Sequence, residues 1–107
     1  MYIAGKEAKV KHVGSMKIKE YKMTSQFSGA LIEIDGTHGK LKCLKEDRIY
    51  YIVDGEGEFS VEDESFTVTE EDVVFIPMNT IYDFSGKMKF FLICSPEFKP
   101  EDDAYLD

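Results

Sequence analysis

The chain has 107 residues, a length typical of one domain, and 43% of them are hydrophobic. Its formal net charge of −8 argues against nucleic acid as a partner, because phosphate neutralisation is the main source of affinity there. No apolar stretch approaches the roughly 18 residues of a membrane-spanning helix, and residues 1–14 lack the apolar block of a secretory signal. We therefore expect a single cytoplasmic domain with no membrane partner.

The charge is distributed unevenly along the chain. Residues 1–22 contain six lysines and two glutamates, a net charge of +4, which leaves −12 for the remainder. We expect an N-terminal arm over about 1–24, a core over about 27–95 and an acidic tail over 96–107 on the surface. The arm is expected to lie on the acidic body of its own chain or of a second subunit. A basic arm for another acidic partner is the alternative.

Short runs rich in Val, Ile, Phe and Tyr recur along the core, each closed by Gly, Asp or Pro, as in strands joined by turns. No helical periodicity longer than about two turns competes with them. The predicted strands are ALIEID (30–35), KLKCLK (40–45), RIYYIV (48–53), GEFSVED (57–63), SFTVT (65–69), DVVFIP (72–77), IYDFS (81–85) and KMKFFLICS (87–95). This spacing predicts an all-β sandwich or barrel.

Three of these runs, at 48–53, 72–77 and 89–94, are apolar at successive positions and do not alternate with polar residues. Strands that are covered on both faces would explain the pattern. A barrel whose outer face lies inside a dimer would explain it equally well. We expect a homodimer.

Two cysteines, Cys43 and Cys94, lie within strand-like runs and share no metal-binding spacing with the histidines. In a reducing cytosol we expect both to be free thiols. Cys43 is predicted to be a small buried hydrophobe more readily than a nucleophile, because no histidine or lysine in its strand would hold it as a thiolate.

The segment from Gly36 to Pro96 resembles the cupin superfamily, whose members are small β-barrels. The resemblance rests on RIYYIVDGEGEF (48–59) followed, after one hairpin, by EEDVVFIP (70–77). Cupins carry a glycine turn after their first motif and a V-x-x-I-P string in their second. The resemblance implies a double-stranded β-helix, that is, a jelly-roll barrel.

Cupin chemistry usually depends on a metal ion, held by two histidines and a glutamate of the first motif and a histidine of the second. Counted from the turn glycine and from the proline, these positions in this sequence hold Leu41, Cys43, Arg48 and Tyr82. A first-row divalent metal needs imidazole, carboxylate or thiolate donors, and only Cys43 provides one. We therefore expect no metal and no other cofactor.

The resemblance also sets which side chains face the barrel interior, namely Leu41, Cys43, Arg48, Tyr50, Tyr82 and Phe84. An arginine cannot lose its proton, and a buried charge must find an anion or solvent. Arg48 would bind the carboxylate or phosphate of a small ligand, which Tyr50, Tyr82 and Cys43 would help to enclose.

Arg48 has internal alternatives to a ligand. Glu33, on the preceding strand, is the first candidate partner and belongs to the same predicted site. Arg48 could equally pair with Asp47 or extend into water from the start of its strand.

These residues leave more than one function open. We favour a metal-free domain that binds an anionic or sugar-like small molecule. A metal-independent isomerase or epimerase acting on a sugar or sugar phosphate is the alternative, as is a structural dimerisation module. In an enzyme Tyr82 would carry the proton, with a pKa that Arg48 lowers, and no histidine is expected in the pocket. Whether the chain is an enzyme stays open.

Overall fold

Residues 1–106, which the computed structural model describes, contain nine β-strands and two short 3₁₀ helices. The strands are β1 Lys9–Val13, β2 Met16–Thr24, β3 Phe27–Thr37, β4 Leu41–Cys43, β5 Asp47–Val61, β6 Glu64–Thr69, β7 Val73–Ile76, β8 Ile81–Ser95 and β9 Asp103–Tyr105. The 3₁₀ helices are Gly5–Glu7 and Pro100–Asp102. The all-β prediction is confirmed. No helix in this part of the chain has the length and apolar character needed to cross a membrane.

The strands form one antiparallel sheet that curls around the core. One path through it runs β1–β2–β3–β8–β4–β9, and β5 pairs with β8, β7 and β6. β5 and β8 are fifteen residues long, and their pairing extends from Asp47 opposite Ser95 to Val61 opposite Tyr82. Paired strands of this length twist strongly, so the sheet wraps back over its own inner face.

The core lies on the inner face of β5 and β8, because alternate side chains of a strand point to opposite faces of the sheet. An aromatic cluster fills its centre, with ring centroids 5.0–5.5 Å apart for the contacts of Tyr50 with Phe59, Phe84 and Phe90 and of Phe84 with Phe59 and Phe90. These rings are all at most 3% exposed. This aromatic cluster surrounds the buried polar groups that are described below.

The outer faces of β5 and β7 are exposed in the single chain. On β5 Ile49, Tyr51 and Val53 are 39–42% exposed, and on β7 Val73 and Phe75 are 61% and 56% exposed. The prediction that these runs are covered on both faces is therefore wrong for the isolated chain, because no other strand or helix of residues 1–106 packs over them. The alternative, an outer face covered by a second subunit, stays a prediction.

Two predicted strand breaks are glycine bends inside continuous strands. The break expected at Asp54 and Gly55 is a β-bulge in β5, where the register against β8 shifts between Ile52 and Asp54. Gly55 has φ +83° and Gly86, inside β8, has φ +140°. Glycine reaches such angles without steric cost, so the chain bends there and the strand continues.

The lysine-rich N-terminal segment forms β1 and β2, the first two strands at one edge of the sheet. β1 pairs with β2, and β2 pairs with β3. Lys11 Nζ lies 3.1 Å from Glu20 within this hairpin, and Lys17 Nζ lies 4.0 Å from Glu33 on β3. The segment thus packs against its own chain. This agrees with the expectation that the arm lies on the acidic body and not with the alternative of an arm for another acidic partner.

Candidate functional site

Arg48, at the start of β5, is buried inside the curled sheet and bonded through all three nitrogens. Its Nε donates to Glu46 Oε1 at 3.1 Å, and one terminal nitrogen donates to the Tyr82 hydroxyl at 2.8 Å. The other terminal nitrogen donates to Asp103 Oδ1 at 2.5 Å and lies 3.1 Å from Glu46 Oε1. The Arg48 side chain is 3% exposed. The anion that this guanidinium requires is therefore supplied by the chain itself.

The two carboxylates come from distant parts of the sequence. Glu46, completely buried, lies two residues before Arg48 just ahead of β5. Burial raises the pKa of Glu46, although Arg48 acts against the shift. Asp103, with a 6% exposed side chain, opens β9 and lies opposite Cys43 of β4. Because β9 pairs with β4, the tail enters the barrel here and does not simply cover the surface.

Sequence reasoning missed both carboxylates, for different reasons. Glu46 carried a usable signal, since residues two apart on an extended chain point to one face. Asp103 carried none, because its position depends on a pairing across sixty residues of chain.

The predicted partners of Arg48 were wrong. Glu33 is exposed, and its nearest cation is Lys17, because β3 turns this side chain to the outer face. Asp47 Oδ1 accepts a hydrogen bond from the Met78 backbone N–H at 2.9 Å. Alternation along the strand sends Asp47 to the face opposite Arg48.

Tyr50 and Tyr82 extend the polar cluster inward from Arg48. Their hydroxyl oxygens are 2.5 Å apart, which joins Tyr50 to the guanidinium through Tyr82. Burial raises the pKa of Tyr82 to about 12, outweighing the opposing effect of Arg48. Arg48 does act to lower this pKa, as expected, but burial outweighs it because Tyr82 is only 1% exposed and lies among aromatic rings. Tyr82 is consequently a proton donor at neutral pH, not a base.

Beside this cluster lies a cavity of about 220 Å³ that reaches the surface near β1 and β2. Polar side chains on its wall include His38, Arg48 and Asp103, and aromatic ones include Tyr50, Phe84 and Phe98. The Phe98 ring lies over the Arg48 guanidinium at 5.5 Å. Lys11, Glu20, Lys22 and Glu97 contribute charges of both signs to the lining. The walls thus combine flat apolar rings with a small number of hydrogen-bonding groups.

His38 lies on this wall, where no histidine was expected. Its ring stacks on Phe84 with centroids 4.5 Å apart, and its backbone N–H donates to Phe84 O at 2.8 Å. Nδ1 lies 2.9 Å from Gly39 O, so it carries the proton and Nε2 keeps a free lone pair. Burial lowers the pKa of His38 below its usual 6.5. A neutral imidazole therefore borders the cavity at pH 7.

His38 falls between the predicted strands 30–35 and 40–45, and no pattern there indicated its position. The segment that holds it joins β3 to β4, and both strands pair with β8. The segment is thereby drawn against the inner aromatic residues.

Of the five predicted ligand-binding residues, Arg48 and Tyr50 border the cavity and the other three do not. Tyr82 is buried behind Arg48 and Tyr50, and Cys43 is 1% exposed in the core. Burial raises the pKa of the Cys43 thiol, which disfavours the thiolate. Cys43 and Cys94 are both free and buried.

No protein-family model matches the sequence, and no curated protein does. Solved structures match closely in shape. A tyrosine-to-phenylalanine variant of Streptomyces PAC13 with uridine superposes with a TM-score of 0.91 at 19% identity, over 99% of this chain and 89% of that one. KdgF from Halomonas sp. gives 0.82 at 18% identity, over 94% and 96%. The cupin domain of Schizosaccharomyces pombe Cnp3 gives 0.74 at 14% identity, over 85% and 70%.

The chain has the cupin fold. The predicted double-stranded β-helix barrel is confirmed by these similarities in shape. At such low sequence identity these similarities show the fold alone. The chemistry must be argued from this chain's own side chains.

The usual metal position of a cupin does not fit a metal ion in this chain. The four residues that counting assigned to that position, Leu41, Cys43, Arg48 and Tyr82, are all buried, and Arg48 donates a hydrogen bond to Tyr82. The Arg48 guanidinium, which has no lone pair to offer a metal, bonds one oxygen each of Glu46 and Asp103. No group of three or more His, Cys, Asp or Glu side chains suited to a metal occurs within residues 1–106.

Proposed function

We propose that this cupin binds an uncharged, sugar-bearing small molecule of about nucleoside size in its cavity, without a metal ion. The observation that carries the proposal is an aromatic-walled cavity whose guanidinium is already neutralised by Glu46 and Asp103. Of the two ligand classes expected from sequence, anionic and sugar-like, this arrangement favours the second.

The charges of the buried cluster argue for an uncharged ligand. Arg48 contributes +1, Asp103 contributes −1, and Glu46 contributes −1 or 0 according to its protonation. The sum is 0 or −1, so the cluster offers no positive charge to a ligand anion. Hydroxyl groups, in contrast, can exchange hydrogen bonds with Asp103, Tyr50 and the free Nε2 of His38.

The size and walls of the cavity argue for a small ligand with a flat ring. Its volume of about 220 Å³ is below the ~300–1,000 Å³ of sites for drug-sized molecules. Aromatic side chains bind planar rings by offset or edge contacts. Structures of PAC13 hold uridine, which makes uridine the first ligand to test here.

A second function, metal-independent acid–base catalysis, is favoured by His38. A neutral imidazole with one free nitrogen is the usual general base at pH 7, and Tyr82, with a pKa of about 12, is a proton donor linked to the wall through Tyr50. An isomerase or epimerase needs such a pair. Pac13 is described as a nucleoside dehydratase, a reaction class that also needs proton transfer.

The binding proposal is tested by calorimetric titration with uridine and with the matched variants Tyr50→Phe and Tyr51→Phe. Tyr50 faces the cavity, whereas its neighbour Tyr51 faces outward and is 42% exposed. Loss of one hydrogen bond of ~0.5–1.5 kcal/mol should weaken binding by about 2–13-fold in Tyr50→Phe and leave Tyr51→Phe unchanged. No saturable binding of uridine, other nucleosides or monosaccharides to the unaltered chain would reject the proposal.

Heavy-water exchange separates catalysis from binding alone. The bound nucleoside or sugar is incubated in deuterium oxide, and incorporation at carbon is followed by NMR. Incorporation that is lost in His38→Gln identifies an acid–base enzyme, and binding without incorporation identifies a binding domain.

A further inference from the structure

Asp103 holds the position at Arg48 that a ligand anion would take. Its carboxylate is 2.5 Å from the guanidinium, and both residues line the cavity, whereas Glu46 does not. Of the two carboxylates, Asp103 is therefore the one that stands between the positive charge and the ligand space. A carboxylate on a guanidinium is also what a bound organic acid would place there.

The backbone around Asp103 is fixed independently of that carboxylate. Asp103 pairs with Cys43 through β9 and β4. On either side, the Leu44 N–H donates to Asp102 O and the Leu106 N–H donates to Lys40 O, both at 2.9 Å. The side chain is thus presented to Arg48 by the strand, and its substitution leaves these backbone hydrogen bonds in place.

We infer that Asp103 is a specificity-determining residue, which makes the cavity accept uncharged ligands and reject anionic ones by occupying the anion position at Arg48. The inference deepens the proposed function and rests on it for the identity of the ligand. An entering phosphate or carboxylate would meet the Asp103 carboxylate at close range, and juxtaposed like charges disfavour binding strongly. Without that carboxylate, Arg48 keeps its bond to Glu46 but opens one side of its guanidinium to the cavity, where it can bind an anion.

The test uses inorganic phosphate at constant ionic strength, titrated into the unaltered chain, Asp103→Ala and Asp103→Asn. The control is Asp102→Ala, which removes the same charge one residue earlier, from a residue that makes only backbone hydrogen bonds here. We expect saturable phosphate binding about tenfold or more tighter in Asp103→Ala than in the unaltered chain or the control. Asp103→Asn keeps the shape and the oxygen acceptor, so it should show a smaller gain.

Equal phosphate affinity in all four proteins would overturn the inference. If Asp103→Ala unfolds because Arg48 loses a partner, recovery of its circular dichroism signal on adding phosphate counts as phosphate binding. In that case, the phosphate affinity of Asp103→Asn is compared with that of the unaltered chain instead. A parallel uridine titration separates the two proposals. Failure to bind uridine rejects the proposed function, while the phosphate comparison still decides the role of Asp103.

Discussion

At the scale of single residues, Arg48 joins three strands and two connecting segments of the fold through one side chain. It connects the start of β5 to Glu46, to Tyr82 of β8 and to Asp103 of β9, and Phe98 packs over it. A buried ion pair gains little over an apolar replacement of the whole cluster, but removal of one member leaves the others buried without a partner. The cluster should therefore be sensitive to substitution of any single member.

Substitution of Arg48 tests this sensitivity. Arg48→Met should lower the free energy of unfolding at pH 7 by ~3–5 kcal/mol, because Glu46 and Asp103 lose their cation. Lys17→Met is the matched control, since its pair with Glu33 is exposed on both sides and such pairs contribute ~0–1 kcal/mol. Urea denaturation followed by circular dichroism measures both, and equal midpoints would contradict the prediction.

The pH dependence of stability should carry a contribution from His38. Burial lowers its pKa below 6.5 in the folded state, so the unfolded chain takes up the proton first as pH falls. The stability contributed by this residue is fully present above about pH 6.5 and is lost as pH falls through the lowered pKa. His38→Gln should remove that part of the decline.

The measurement is a series of thermal melts of both proteins between pH 7.5 and pH 5. His12→Gln, at an exposed position on β1, controls for the loss of a histidine elsewhere. A constant difference in melting temperature between His38→Gln and the unaltered chain across this range would refute the assignment.

At the scale of elements, the two fifteen-residue strands explain where sequence reasoning succeeded and where it failed. The resemblance to cupins implied that Arg48, Tyr50 and Tyr82 lie on the inner face, and the structure brings these three into contact. The glycines were taken for strand ends. A glycine in a strand often marks a bulge or a close approach, and the local sequence does not distinguish these cases from a turn.

Gly55 provides a test of the bulge. It combines φ +83° with a close approach, since a Cβ there would collide with the Lys87 backbone carbonyl. Gly55→Ala should cost ~2–5 kcal/mol, from backbone strain and from displacement of the β8 backbone. Gly14→Ala has a positive φ of +55° with no atom within 4 Å of the new Cβ and should cost only ~1–2 kcal/mol. Equal losses in denaturant titration would exclude the close approach as a cause.

At the scale of the whole molecule, the all-β class was predictable from the sequence pattern and the barrel from the cupin resemblance, but the contents of the site were only partly so. Turn-bounded apolar runs predict a β-barrel without long-range information. Asp103 and His38 enter the site through pairings of β9 with β4 and of β3 and β4 with β8. Such pairings depend on which strand edges meet, and no local pattern encodes that. The missed residues are accordingly those contributed by connections and the tail.

The exposed outer face of β5 and β7 leads to the prediction at this scale, that the protein is a homodimer through this face. Ile49 lies opposite Phe75 and Tyr51 opposite Val73, so four neighbouring outward positions are apolar and uncharged. In a two-fold symmetric dimer the same patch meets itself, and an uncharged patch does so without repulsion although the chain carries −8. Exposed apolar surface of this kind marks interfaces.

Light scattering coupled to size-exclusion chromatography measures the outcome. The unaltered chain should have about twice its 12.3 kDa mass, and Phe75→Glu should have the monomer mass, because two carboxylates would face each other across the two-fold axis. Val10→Glu, a change of the same kind at a 51% exposed position on β1, should stay dimeric. A monomeric unaltered chain would reject the homodimer, and a dimeric Phe75→Glu would move the interface to another face, because a buried pair of like charges costs several kcal/mol.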